Sequence, residues 1–230
     1  RTKNKLFSII AHDLKNPFQG IIGFSELIIK EAEKQSSEKI KKYSQYIYDV
    51  SLQSYKLLDN LLDFTRSQTG LIKYNPEYFN IAEPVKETVL LVKSNADAKG
   101  VNLIDEVTEN SEELKVFADK SMIATVLRNL ISNAVKFTPS GGTVRISAKL
   151  EDDNLILKVA DTGVGIKESD IPKLFKADLN FSTFGTRNEK GTGLGLVVCK
   201  DFIDKNNGTI SVKSKVGKGS VFTITLPVKK

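Results

Sequence analysis

The chain has 230 residues, of which 40% are hydrophobic and 27% charged, with a net charge of +6. That suffices for a buried core in one large or two smaller domains, and no apolar run reaches the roughly 18 residues that a membrane span needs. The basic excess is scattered in small groups such as Lys39, Lys41 and Lys42, without the aromatic-interleaved stripe expected of nucleic-acid binding, and the one cysteine, Cys199, excludes an internal disulfide and fits a reducing compartment.

Residues 1–68 read as two long helices. In the first, Leu6, Ile10, Leu14, Pro17, Ile21, Phe24 and Ile28 fall within roughly 80° of one another on a helical wheel, a narrow apolar stripe. Pro17 removes a backbone donor and is expected to bend the helix. Residues 31–37 are polar and make a turn. The second helix places Ile40, Tyr43, Ile47, Val50, Ser54, Leu57, Leu61 and Phe64 at alternating spacings of three and four, a heptad seam with one polar interruption at Ser54. A single hairpin cannot bury both stripes, whereas two copies can, as a four-helix bundle. A homodimer through residues 1–68 is therefore expected, the alternative being that the stripes pack on the rest of the chain.

Thr69-Gly70 stops the second helix, and 69–72 reads as a linker. From residue 73 short strands and helices alternate. A strand is expected over 73–79, then a helix to about Lys99 opened by a capping box of Asn80 and Glu83. Strands follow near 101–107 and 115–118, then a helix capped by Asp119 that runs to Phe137. Strands over 143–150 and 155–161, a helix over 194–206 and a closing hairpin at 209–213 and 220–228 complete an α/β sandwich with a mixed sheet and helices on one face.

Four segments in this order carry chemistry. On the helix ending at Phe137, Asn129, Asn133 and Lys136 share a stripe apart from the apolar face of Leu127, Leu130, Ile131, Ala134 and Val135. Asparagine is a poor helix-interior residue. Its carboxamide oxygens suit Mg²⁺ beside phosphate oxygens, and a lysine one turn on suits phosphate; a solvent-facing polar stripe is the plainer reading. Asp161 lies on the same strand face as Leu155, Leu157 and Val159. A carboxylate aimed at a core needs a donor, which the exocyclic amine of adenine would supply, with Gly163 and Gly165 turning the backbone beside a flat ring; the alternative is an ordinary turn. Gly191, Gly193 and Gly195 open a helix, where backbone amides favour an anion. Before them, Ser182, Thr183, Gly185, Thr186 and Asn188 lie in a polar segment suited to a mobile lid from which Arg187 and Lys190 reach a terminal phosphate, or to a plain surface loop. His12, the sole histidine, falls about 200° from the first apolar stripe and is expected to face water. Asp13 adjoins it and Asn16 lies one turn on. Neutral imidazole is a competent nucleophile at neutral pH; an idle surface histidine is the alternative.

Together these residues resemble the catalytic core of a two-component sensor histidine kinase. His12-Asp13-Leu14-Lys15-Asn16-Pro17 resembles the phosphoacceptor box, and Asn129 to Thr138 the asparagine box. Asp161-Thr162-Gly163-Val164-Gly165-Ile166 and Gly191-Thr192-Gly193-Leu194-Gly195-Leu196 resemble the two glycine boxes, and Leu174-Phe175 stands where the family has its phenylalanine box. The resemblance implies a dimerising helical hairpin over 1–68 that bears the histidine, and an ATP-binding domain of the gyrase, Hsp90, kinase and MutL (GHKL, or Bergerat) type over 73–230. It implies autophosphorylation of His12 from Mg-ATP and transfer to an aspartate on the receiver domain of a response regulator. Asp13 would orient or activate the imidazole, and Asn16 would position water when the regulator is dephosphorylated. Asn129 and Asn133 would hold Mg²⁺, and Asp161, with Gly163 and Gly165, would read adenine. Gly191, Thr192, Gly193, Leu194 and Gly195 would cradle the triphosphate, with Lys136 and Lys190 on its oxygens. Position 13 is Asp where the family more often has Glu, one methylene longer. The chain begins eleven residues before His12, so a truncated first helix and an origin as the cytoplasmic portion of a longer membrane-bound or hybrid sensor are expected.

Overall fold

The computed structural model describes residues 2–33, 37–68, 74–108, 114–176, 185–187, 189 and 193–229; the side chains of residues 2–15, 33, 53, 56, 57, 59–61 and 63–68 lie outside that description. Two compact units result, Arg1–Thr65 and Arg66–Lys230.

The first unit is a hairpin of α1 (Thr2–Glu33) and α2 (Ser37–Gln68). Helix α1 continues through Pro17. Its stripe residues Pro17, Ile21, Phe24 and Ile28 are half-buried, as are Ile40, Tyr43, Ile47, Val50 and Ser54 of α2. Phe24 stacks on Tyr46 with ring centroids 5.0 Å apart and tilts against Tyr43 at 6.0 Å. The Ser54 hydroxyl donates to the Val50 carbonyl (2.7 Å), so this polar seam position is satisfied within its own helix. The described parts of the two seams, residues 17–28 and 40–54, thus face each other inside one hairpin. A second set of apolar residues remains uncovered: Phe18, Ile22 and Ile29 on α1, and Tyr48, Leu52 and Tyr55 on α2, each 43% to 67% exposed. Helical geometry gathers each trio within roughly 60° of arc.

The second unit opens with strand β1 (Glu77–Asn80), then α3 (Ala82–Lys99), β2 (Asn102–Asp105), β3 (Lys115–Ala118) and α4 (Lys120–Phe137). It continues through β4 (Thr143–Glu151), β5 (Asn154–Asp161), a 3₁₀ turn (Glu168–Lys173), α5 (Gly195–Lys205), β6 (Thr209–Lys215) and β7 (Gly219–Pro227). Five strands form a mixed sheet in the order β2-β4-β5-β7-β6, with β2 parallel to β4 and the other pairs antiparallel. A separate antiparallel ribbon pairs β1 with β3, a pairing that no local pattern announces. Period-two burial organises the sheet: Leu155, Leu157, Val159 and Asp161 of β5 are buried with Val144 and Ile146 of β4 and Phe222, Ile224 and Leu226 of β7. Helix α4 packs on β4 and β5 and touches α3 and α5. It brings Leu127, Leu130 and Ile131, each at most 1% exposed, and each such side chain contributes about 1.5–3 kcal/mol by leaving water.

Caps define where these helices begin. The Asp119 Oδ1 accepts from the amides of Ser121 (3.0 Å) and Met122 (3.1 Å), and its Oδ2 from the Asn75 amide (3.0 Å). The capping box expected at Asn80 and Glu83 is only half formed. Asn80 Oδ1 accepts from the Ala82 amide at 3.0 Å, but Glu83 turns away to Lys120 Nζ at 2.7 Å, because an opposite charge on the neighbouring helix competes with the reach back. The first strand correspondingly ends at Asn80 and starts only at Glu77. Helix α3 stops at Gly100, whose φ of +72° is the left-handed conformation that closes helices.

Candidate functional site

The site is built where β5 and α4 end and α5 begins. The β5 alternation carries Asp161 inward, where it is 8% exposed. Its Oδ1 accepts from the backbone amides of Gly163 (2.8 Å) and Ser220 (3.2 Å). Burial pushes its carboxyl above the ordinary aspartate value, and the hydrogen bonds from Gly163 and Ser220 oppose this without overcoming it. Ser220 comes from the facing strand, opposite Asp161 in the β5–β7 register, and was not among the residues singled out from sequence.

Gly163 is required by close approach. A Cβ there would strike the Phe137 carbonyl and lie 2.7 Å from Asp161 Oδ1. The next amide, Val164, donates to the same Phe137 carbonyl at 3.1 Å. The first glycine box is therefore clasped to the last turn of α4. Gly165 adopts φ +69° against the Lys215 carbonyl, a conformation that favours glycine.

Along α4, Asn129, Asn133 and Lys136 are half-buried, while Val126, Leu127, Leu130, Ile131, Ala134 and Val135 are buried. Asn129 donates its Nδ2 to the Thr125 carbonyl (3.0 Å) and its Oδ1 lies toward the start of α5. A Cβ on Gly195 would lie 2.6 Å from that oxygen. The asparagine stripe thus abuts the first residue of α5 rather than open solvent. Gly193 has φ +71°, Leu194 is buried, and among the described residues no side chain caps α5, which leaves its N-terminus suited to an anion. Burial pulls the Lys136 ammonium below the usual lysine value; Glu189 opposes this and Lys99 reinforces it.

The segment before the second glycine box is tied to the ends of α3 and α4. Thr186 donates its amide and its hydroxyl to the Lys136 carbonyl, each at 3.2 Å. Arg187, expected near phosphate, instead donates to the Ala98 carbonyl at 3.1 Å. Glu189 meets Lys99, a lysine only 5% exposed, at 2.8 Å. Neither Lys99 nor Glu189 was singled out from sequence; a basic residue in a last helical turn gives no sign of burial. Ser182, Thr183, Asn188, Lys190, Gly191 and Thr192 lie outside the described residues, as does the linker 69–72. His12, Asp13 and Asn16 stand on α1 in the other unit. Asn16 is exposed, and the side chains of His12 and Asp13 lie outside the description.

Two further features bear on the chemistry. Among the described residues no group of three His, Cys, Asp or Glu side chains is placed to hold a metal ion. A cavity of about 420 Å³, lined by Asn75, Glu77, Glu87, Asp119 and Lys120, lies at the N-terminal end of α4. Its acidic lining is unsuited to phosphate, and it is separate from the Asn129–Asp161 region.

Residues 2–70 match the His Kinase A (phospho-acceptor) domain, and residues 118–230 match the histidine kinase-, DNA gyrase B- and HSP90-like ATPase. The chain belongs to the sensor histidine kinase family. It is 31% identical over 226 residues to an uncharacterised sensor-like histidine kinase of Rhizobium meliloti (strain 1021), covering 98% of this chain and 43% of that protein. It is 31% identical over 226 residues to the autoinducer 2 sensor kinase/phosphatase LuxQ of Vibrio parahaemolyticus, covering 96% of this chain and 26% of that protein. The chain thus spans less than half the length of these curated relatives. Among solved structures, the Acinetobacter baumannii histidine kinase AdeS aligns with a TM-score of 0.71 at 25% identity, over 95% of this chain and 98% of that one. The helical hairpin and the mixed-sheet ATPase unit are therefore a sensor histidine kinase's phosphoacceptor and ATPase modules. Among the described residues no helix is long and apolar enough to cross a membrane.

Proposed function

We propose that this chain autophosphorylates His12 from Mg-ATP and passes the phosphoryl group to an aspartate on the receiver domain of a response regulator. The contact between Asn129 and Gly195 carries the reading, because it sets hard amide oxygens against the helix start that receives phosphates. Adenine is read by Asp161, whose carboxylate accepts from the exocyclic amine beside Gly163 and Gly165. The triphosphate runs along Gly191, Thr192, Gly193, Leu194 and Gly195, with Lys136 and Lys190 on its oxygens. Asn129 and Asn133 would hold Mg²⁺, since the Asn129 Oδ1 beside the start of α5 is the hard ligand that ion takes alongside phosphate, and the ion would supply charge neutralisation there.

A neutral imidazole nitrogen of His12 attacks the γ-phosphorus in line. The N–P bond forms, the bond to the β-bridging oxygen breaks, and ADP leaves; Asp13 takes the proton from the second ring nitrogen. Catalysis is positioning and charge neutralisation, with the nucleophile brought within about 3–3.5 Å, so residues 69–72 act as the hinge between domains 1–68 and 73–230. Asn16 positions the water that hydrolyses the regulator's aspartyl phosphate to aspartate and inorganic phosphate, an activity consistent with the kinase/phosphatase name of the Vibrio relative. Two copies pair through residues 1–68, and the protein works at the cytoplasmic side of a longer sensor.

Incubation with γ-labelled ATP tests this. The parent chain should acquire a label that is stable to base and released by acid. His12→Gln should bind ATP unchanged and take up no such label. Acid-labile phosphate on that variant would show the assignment to be wrong.

A further inference from the structure

Lys99 is an expensive residue where it stands. An ammonium 5% exposed at the end of α3 needs partners to offset its lost hydration. It has two: the Lys136 carbonyl at the end of α4 (2.5 Å) and Glu189 Oε1 (2.8 Å). Glu189 in turn organises its own segment, its Oε2 accepting from the Arg187 amide (2.7 Å) and its carbonyl from the Gly185 amide (2.9 Å). Burial raises the Glu189 carboxyl, but the bonds from Lys99 and the Arg187 amide prevail and hold it below the usual range, so it is an anion at neutral pH. In the chain, Glu189 lies two residues before the second glycine box, which begins at Gly191.

We infer that Lys99 and Glu189 are positioning residues for nucleotide binding: their ion pair pins the peptide entering Gly193–Gly195 to the ends of α3 and α4, so the phosphate-binding turn is held ready before ATP arrives. The inference rests on the nucleotide site proposed above. Its size follows from chain length. Eighteen residues separate Lys176 from Gly195, but only five separate Glu189 from Gly195. Closing the longer segment in place of the shorter carries a three-halves-power penalty of roughly sevenfold, an upper bound on the loss of phosphate binding because Thr186 and Arg187 have their own ties to the Lys136 and Ala98 carbonyls.

The test uses the whole chain as parent, Glu189→Ala, Lys99→Met and the double variant. ATP and adenosine affinities are measured by calorimetry, and amide hydrogen exchange at residues 185–187 is measured without nucleotide. Glu189→Ala should weaken ATP measurably, by up to roughly sevenfold, leave adenosine binding unchanged and speed exchange at 185–187; its melting temperature should fall because Lys99 loses its counter-charge, so affinities are compared well below the transition. Glu189→Gln, which retains an acceptor for Lys99, should recover most of the loss. The double variant should be no weaker than the weaker single one, since both remove one pin. Parent-like or tighter ATP binding by Glu189→Ala, or multiplying effects in the double variant, overturns the pin. A parent that binds no ATP overturns the site itself; the exchange comparison then still decides the pin, which unchanged exchange in Glu189→Ala would refute.

Discussion

Asp161 shows how much one side chain can carry. Its place on the inward face of β5 was legible from the two-residue period, and its burial follows from that period alone. Its backbone partners were not: Ser220 lies 59 residues on and meets it only because β7 pairs with β5 in that register. With the folded carboxyl's proton affinity raised, the neutral form is the one the fold favours. This group's contribution to stability is present below the unfolded value of about 3.9 and is lost as pH rises through the raised folded value. Nucleotide recognition has the opposite dependence, because only the carboxylate accepts strongly from adenine's amine. ATP affinity should therefore fall on the acid side with a midpoint above that of an ordinary aspartate. Asp161→Asn keeps an oxygen for the Gly163 amide and removes the charge, so its melting temperature should hold or rise. ATP affinity should drop by roughly tenfold to a hundredfold, the worth of one charged hydrogen bond. Calorimetry beside a thermal melt checks this, and parent-like ATP binding would remove Asp161 from the site.

Helix α4 holds the asparagine stripe at one end and is secured at the other by Asp119. Sequence placed that cap correctly because an N-cap is a local bargain between one side chain and amides two and three residues on. The Asn80–Glu83 box failed for the complementary reason. Its second member had a better partner in Lys120, 37 residues away, and no local rule registers such competition. Asp119→Ala should cost about 2 kcal/mol, at the top of the capping range because the Asn75 amide loses its acceptor too. For a protein of this size that lowers the melting temperature by about 4–8 °C. ATP affinity measured well below the transition should stay near the parent's, since Asn129 and Asn133 lie two or more turns away. A large loss of ATP binding with little loss of stability would mean that the cavity beside Asp119, rather than the far end of α4, receives the nucleotide.

For the molecule as a whole, the heptad seam of α2 was readable, but what it packs against was not. The structure spends the described part of that seam, residues 40–54, on α1 of the same hairpin and leaves Phe18, Ile22, Ile29, Tyr48, Leu52 and Tyr55 uncovered. If the proposed dimer buries these residues, Ile22→Glu in the full chain should shift sedimentation from dimer to monomer at micromolar concentration while helical circular dichroism persists. A dimer that survives this change would place the interface elsewhere. What the sequence determined by itself were features written in neighbours a few positions apart: the strand and helix periods, the Asp119 cap and the four boxes in their order. Only the tertiary structure decided that β1 pairs with β3, that Asn129 meets Gly195, and that Lys99 is buried against a glutamate 90 residues away. The physical reason is one of alternatives. A local period admits one or two conformations, whereas 34 basic and 28 acidic side chains admit many pairings of nearly equal energy, and the packed core alone selects among them.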